Sequence, residues 1–207
     1  MIAVNDIILK MRSRLGDTDT TKQKWSDAEL VDNINSALSQ LAVSMLYATR
    51  EQKYIVSGTN NRFELPHNMA RVVAITINEE RVTIKSFEWL QNNKSELKDD
   101  EFTVCMDDTS FFLYPLALLE DGLEIVFNYN YIQQINDVSE TIDLPVLLSD
   151  AILFYAMHMS LQVNTSEKNA NKSAHFLNLY ERQVQMMSMT LHKNKHSKRL
   201  TSRYKRI

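Results

Sequence analysis

Leu30, Ile34, Ala37, Leu38, Leu41 and Met45 recur at three- and four-residue spacing, while Asp32, Asn33, Ser36 and Gln40 fall between them. That period predicts an amphipathic helix with one buried stripe. Its start is written in Trp25-Ser26-Asp27-Ala28-Glu29-Leu30. Ser26 at the N-cap and Glu29 three residues later satisfy each other's free backbone donors, and Trp25 and Leu30 occupy the flanking hydrophobic positions. A shorter helix over roughly 5–15 uses Ile7, Ile8, Met11 and Leu15 and stops near Gly16. The chain therefore opens with a helical pair.

From Lys53 to about Ile132 the period changes from 3.6 to 2. The clearest strand alternates Leu123, Ile125, Phe127, Tyr129 and Tyr131 with Glu124, Asn128 and Asn130. Three hairpins are predicted: 54–57 with 62–65 around Gly58, 72–77 with 81–84 around Asn78-Glu-Glu, and 102–106 with 111–114 around Asp107-Asp-Thr. Between the second and third, Ser86-Phe-Glu-Trp-Leu reads as one helical turn, with Phe87 or Trp89 packing over the sheet.

After Leu144-Pro145 a proline in the first turn suits a helix start, and the segment to about Val163 is apolar on nearly every side. Such a helix is enclosed by its neighbours. A last helix over roughly 167–191 lays Ala170, Ala174, Leu177, Tyr180, Val184, Met187 and Leu191 against it, with Asn164-Thr-Ser as the turn between. The expected class is α+β: an N-terminal and a C-terminal helix pair packed as a bundle, a central hairpin-built antiparallel β-sheet, and an extended basic C-terminal arm. Residues 1–190 read as a single α+β domain, helical over 1–50 and 143–190 with a β insertion over 51–142, and 191–207 read as the arm.

Charge is what singles out that arm. From His192 to Ile207 the chain carries Lys193, Lys195, Lys198, Arg199, Arg203, Lys205 and Arg206 and no acid, so the rest sits near −10 although the whole chain is −3. A segment this polar and one-signed buries too little apolar surface to order itself, and it is expected to wait for a partner. Three uses are open: phosphate binding with Tyr204 as a stacking contact, docking of the cations with Leu200, Tyr204 and Ile207 along an acidic groove of another subunit, or solubilisation. The acidic body is expected to offer no second basic patch that would extend a nucleic-acid footprint, which favours the protein-docking use.

Chemistry is sparse elsewhere. Gly16, Gly58 and Gly122 are isolated, which disfavours phosphate-cradling loops. Cys105 is alone and reads as a small apolar strand residue, ruling out an internal disulfide. His67, His158, His175, His192 and His196 are scattered; His192 and His196 have helical metal-pair spacing, but the neighbouring lysines oppose a cation. His158 and His175 read as packing or surface residues. Asp99-Asp100-Glu101, Asp107-Asp108 and Glu120-Asp121 sit beside predicted turns, where aspartate stabilises the bend. No enzyme, cofactor, metal or catalytic residue is expected. No stretch is long enough for a membrane span, and Met1-Ile-Ala-Val-Asn-Asp lacks the basic lead and apolar core of a secretory signal.

The stretch 24–42, from Lys24-Trp-Ser-Asp-Ala-Glu-Leu through Asn33, Asn35 and Ala37 to Ala42, resembles the opening of tailed-bacteriophage head-to-tail adaptor (connector) proteins. Two later stretches are similar to the same family: Arg62-Phe-Glu-Leu-Pro leading to Met69-Ala-Arg-Val-Val-Ala-Ile, and Ile142-Asp-Leu-Pro-Val-Leu-Leu-Ser-Asp-Ala-Ile-Leu-Phe-Tyr-Ala running on to Asn169-Ala-Asn-Lys-Ser-Ala-His-Phe. The resemblance implies a non-catalytic virion protein, a homo-oligomeric ring of commonly twelve copies beneath the portal protein. Such a ring joins capsid to tail or nozzle protein and forms part of the channel for genomic DNA. It implies a location at the capsid–tail junction, reached from the host cytoplasm, with no membrane partner. Lys198, Arg199, Arg203, Tyr204, Lys205 and Arg206 are the expected portal-binding residues, an assignment that rests on charge and not on the family pattern. The alternatives are another neck or tail ring component, such as a tail terminator or nozzle-adjacent protein, or a small DNA-binding protein using the basic tail.

Overall fold

The computed structural model describes residues 1–45, 49–162 and 167–197, with side chains to residue 189 except that of Glu167. In chain order the elements are β1 (Ile2–Ala3), α1 (Val4–Leu15), α2 (Asp27–Ser44), β2 (Thr49–Ile55), β3 (Arg62–Glu64), β4 (Met69–Ile77), β5 (Glu80–Arg81), β6 (Thr83–Ser86), α3 (Phe87–Asn92), β7 (Thr103–Met106), β8 (Ser110–Tyr114), β9 (Glu124–Tyr131), β10 (Thr141–Ile142), α4 (Ser149–Gln162) and α5 (Glu167–Ser197). The class is α+β. The chain forms two compact units: a helical one from Met1–Met45 with Gln133–Ile207, and a β one from Leu46–Ile132. The insertion thus begins and ends earlier than the 51–142 read from the sequence, because Thr49 and Arg50 already pair with Asn130 and Tyr129, while β10 pairs with β1.

In the helical unit, α4 lies against α1, α2 and α5. Ala151, Ile152, Leu153, Ala156, Met157, Ser160 and Leu161 are all buried, more than one face of a helix provides, so α4 is the enclosed element the sequence predicts. Its lead-in differs. Val146–Leu148 is a 3-10 turn, and Val146 and Leu147 are 66% and 60% exposed. Pro145 sits one residue outside that turn, and the turn holds these two side chains off the buried face.

Local chemistry sets the helix ends. α1 stops where Gly16 adopts φ 70° and the Asp17 N–H donates to the Arg12 carbonyl at 2.8 Å. At the start of α2 the Ser26 hydroxyl accepts from the Glu29 N–H at 3.2 Å, and the Glu29 carboxylate accepts from the Ser26 N–H at 2.7 Å. That reciprocal pair holds the Glu29 carboxyl below its ordinary value, chiefly through the Ser26 backbone hydrogen bond. Ser26→Ala is expected to cost about 1 kcal/mol in chemical denaturation near neutral pH. The alanine variant keeps the Ser26 N–H bond to Glu29 and loses the hydroxyl's bond to that carboxylate; this lost part, tied to a depressed carboxyl, is present above the ordinary glutamate range and fades as pH falls through the folded value, so the penalty shrinks slightly in acid.

Polar pairs fix how the helices meet. The Trp25 indole N–H donates to the Ser160 carbonyl at 3.1 Å, and the Asn33 side-chain amide donates to the Ser160 hydroxyl at 2.9 Å. Asn35 clamps the segment after β9 as a strand would, donating to the Ile135 carbonyl and accepting from the Ile135 N–H, both at 2.8 Å. On α5 the buried residues are Ser173, Tyr180 and Met187, with Leu177 and Val184 half-buried, whereas Ala170 and Ala174 are exposed. The Ser173 hydroxyl donates to the His158 carbonyl at 3.0 Å, so near the start of α5 Ser173 takes the buried place read for Ala174, while the stripe from Leu177 to Met187 stands as predicted. Val163, the Asn164-Thr-Ser turn and the Leu191 side chain lie outside the described residues.

The β unit is two four-stranded sheets, ordered β2-β9-β4-β5 and β3-β8-β7-β6, where the sequence predicts one. Tyr54 and Phe127 from the first face Phe63 and Phe111 from the second, with ring centroids between 5.1 and 5.7 Å for the contacts linking the two sheets. This aromatic layer explains the misplaced hairpin. Both flanks of the Gly58 turn supply rings to the same core, so the chain crosses between sheets there, β2 pairing with β9 and β3 with β8.

The second hairpin closes through a two-residue turn, Asn78 and Glu79, both at positive φ, but only Glu80 and Arg81 return along β4. β6 then joins the other sheet, parallel to β7, with α3 in the crossover. The third hairpin, β7 with β8, is as predicted. The Ser86 hydroxyl caps α3 by accepting from the Trp89 N–H, and Phe87 packs on Phe112 with centroids 5.1 Å apart.

Candidate interaction surfaces

Arg12 organises one end of the helical unit. Only 7% exposed, its guanidinium donates to Asp17 at 2.6 Å, to the Trp25 carbonyl at 3.0 Å and to Asp27 at 2.6 Å. Asp17, also buried, accepts from the Lys24 N–H at 2.7 Å. The loop 16–25 is therefore pinned by a satisfied buried charge pair, and Lys24 is delivered beside α1.

That placement builds a feature the sequence reading excludes. Arg14 from the last turn of α1, Lys24 from the loop, and Lys168 and Lys172 from the first turns of α5 line one pocket of about 230 Å³, whose apolar walls include Trp25 and Phe176. The Arg14 guanidinium sits 5.5 Å from the Phe154 ring centroid, which shelves it over α4. The acidic body does carry a second basic patch; it is assembled from three segments too far apart in sequence to register as a charge run.

A shallow groove of about 450 Å³ lies between the end of α2 and the distal half of α5, formed by Gln40, Ser44, Leu177, Tyr180, Val184 and Met189 among others. Tyr180 anchors it. Its ring makes an edge contact with Tyr155 at 4.9 Å, its hydroxyl lies 3.4 Å from the Ser44 hydroxyl, and burial raises its pKa. Met186 and Met189 remain 56% and 55% exposed on the same stretch of α5.

In the β unit, Glu80, Asp100, Glu101 and Glu120 line a groove of about 590 Å³ with Arg81. Two of the acidic stretches seen in the sequence thus converge, though no histidine or cysteine joins them, and the Lys98 ammonium holds Glu101 at 2.9 Å. Asp107 serves its turn as predicted, accepting from the Thr109 and Ser110 N–H groups at 2.8 and 2.6 Å; the first of these bonds is the main reason its carboxyl lies below the ordinary value. Cys105 is buried in β7, which raises its thiol pKa.

Among the described residues the histidines do not gather. His158 Nδ1 lies 3.0 Å from the Ser173 carbonyl and 2.9 Å from its hydroxyl, and Nε2 lies 3.0 Å from the Gln162 side-chain amide. A serine beside a histidine invites comparison with a nucleophile and base, but the Ser173 hydroxyl donates back to the His158 carbonyl, both residues are buried, and neither lines a pocket described above. The pair packs α4 on α5. His175 is exposed with its ring 5.8 Å from Phe176, and His67 is exposed in the β unit. Among the described residues no three histidine, cysteine or acidic side chains form a group that would hold a metal ion. No described helix is long and apolar enough to cross a membrane.

Of the predicted arm, Lys198, Arg199, Arg203, Tyr204, Lys205 and Arg206 lie outside the described residues, as do Leu200, Ile207 and the side chains of His192, Lys193, Lys195 and His196. The helix preceding them is longer than predicted: α5 continues to Ser197, so the backbone of 192–197 is helical. Comparison with protein families and with curated proteins returns no match to this chain.

Proposed function

We propose that the protein is a non-catalytic structural subunit, a head-to-tail adaptor that forms a ring beneath a phage portal and joins it to the tail. The observation that carries this reading is the exposed apolar surface of the helical unit. Leu9, Val43, Val146, Leu147, Met186 and Met189 are all more than half exposed there, whereas among the described large apolar residues of the β unit only Ile55 and Leu116 are so. A ring subunit needs apolar helical surface on opposite sides to meet two neighbours through one heterologous contact, and exposed apolar side chains concentrated on the helical unit suit that need.

The reach of α5 supports the same reading. Its 31 residues span about 46 Å, against about 21 Å for the 14 residues of α4, so its distal part outruns its packing partner and leads into the cationic arm. That arm is the proposed portal grip, and the acidic body suits a duct that holds passing DNA loosely. Met186→Glu with Met189→Glu places charge on the exposed side of α5. In co-sedimentation with the portal protein proposed as its partner, the double variant is expected to bind roughly tenfold more weakly or worse while keeping wild-type circular dichroism. Unchanged co-sedimentation removes α5 from the interface.

A further inference from the structure

We propose that the pocket between α1, the loop before α2 and the first turns of α5 binds the phosphate backbone of nucleic acid, with Arg14, Lys24, Lys168 and Lys172 as the contacting cations. The inference needs only the pocket and does not depend on the ring.

Four cations from three segments meet on a protein whose residues before the tail carry a net charge near −10. Among the described residues no carboxylate forms an ion pair with any of them. Asp17 and Asp27, three residues from Arg14 and Lys24, are already taken by Arg12, and the side chain of Glu167, beside Lys168, lies outside the described residues. Arg14 suits its place at the C-terminal end of α1, where the helix dipole favours a cation. Lys168 sits in the first turn of α5, where the dipole opposes one. Gathering four like charges at such an end is unfavourable for the empty protein, and an anion offsets it.

The chemistry of the anion follows from count and shape. A carboxylate neutralises one of four charges and a free phosphate dianion two, whereas successive phosphodiesters engage all four. The lysines are exposed on long stems that spread to meet phosphates in a row, and the apolar walls at Trp25 and Phe176 give a sugar face something to rest on. Nothing here reads bases, so binding is independent of sequence and steeply salt-dependent.

Trp25 lines the pocket and Trp89 is the only other tryptophan, so the full-length Trp89→Phe protein carries its reporter in the site. On titration with a short DNA duplex at low salt, Trp25 emission is expected to change in a saturable way. Lys168→Gln with Lys172→Gln should weaken that response roughly tenfold and reduce the slope of log K against log salt by about two. The charge-matched control Lys10→Gln with Lys94→Gln should leave both unchanged, and Lys24→Gln alone should lower the slope by about one. Three results overturn the proposal: duplex binding with Trp25 silent, which assigns binding to the basic tail; equal effects of the pocket and control variants; or a response to polyglutamate or inorganic phosphate at matched ionic strength with none to duplex.

Discussion

Arg12→Leu is expected to destabilise the helical unit by about 3–5 kcal/mol, the largest effect of any single charge change in the protein. The substitution keeps the aliphatic stem and removes the guanidinium, leaving the Asp17 carboxylate buried with only the Lys24 N–H as partner and the Trp25 carbonyl without its donor. Buried pairs need not stabilise relative to an apolar replacement of both partners, but removing one partner leaves the other's desolvation uncompensated. Double replacement, Arg12→Leu with Asp17→Leu, should therefore recover part of the loss. Urea denaturation followed by Trp25 emission in the Trp89→Phe background measures this directly. A loss under 1 kcal/mol for the single variant would mean that the loop 16–25 is held by something other than this pair.

Phe111→Ala should cost the β unit about 3–5 kcal/mol. Phe111 is fully buried and touches all three other rings at close range: Tyr54 edge-on at 5.1 Å, Phe63 stacked at 5.1 Å and Phe127 stacked at 5.2 Å. Truncation removes the contact holding one sheet on the other and leaves a cavity that backbone in two sheets cannot close. The same layer explains Tyr54, whose pKa is pushed up to about 12, first by burial among these rings. Trp89 emission in a Trp25→Phe background reports the loss. Unfolding unchanged within 1 kcal/mol would show that the sheets do not depend on this layer.

How much of this was legible beforehand depends on distance along the chain. The capping box at Ser26 and Glu29, the glycine stop at Gly16 and the enclosed helix before Gln162 were readable because each is settled by residues within about a turn of one another. The sheet was not, because its decisive pairings are remote: Thr49 with Asn130, and Arg62 with Phe112. The turn at Gly58 looks like a hairpin locally, and only the shared aromatic layer, with Phe111 and Phe127 far downstream, sends its flanks to different sheets.

The charged features divide the same way. The tail announces itself by composition, whereas the pocket joins Arg14 and Lys24 to Lys168 and Lys172 across most of the chain. A signal for Arg12 was present: it lies four residues after Ile8 on the apolar face of α1, where a charge demands a buried partner.

That the chain serves by assembling is tested most directly by the mass and image of the full-length protein mixed with the portal protein proposed as its partner. The proposal predicts a closed ring seated on one face of the portal, with twelve copies per portal ring and helical units in mutual contact. A portal that stays bare in the presence of excess folded protein would contradict it.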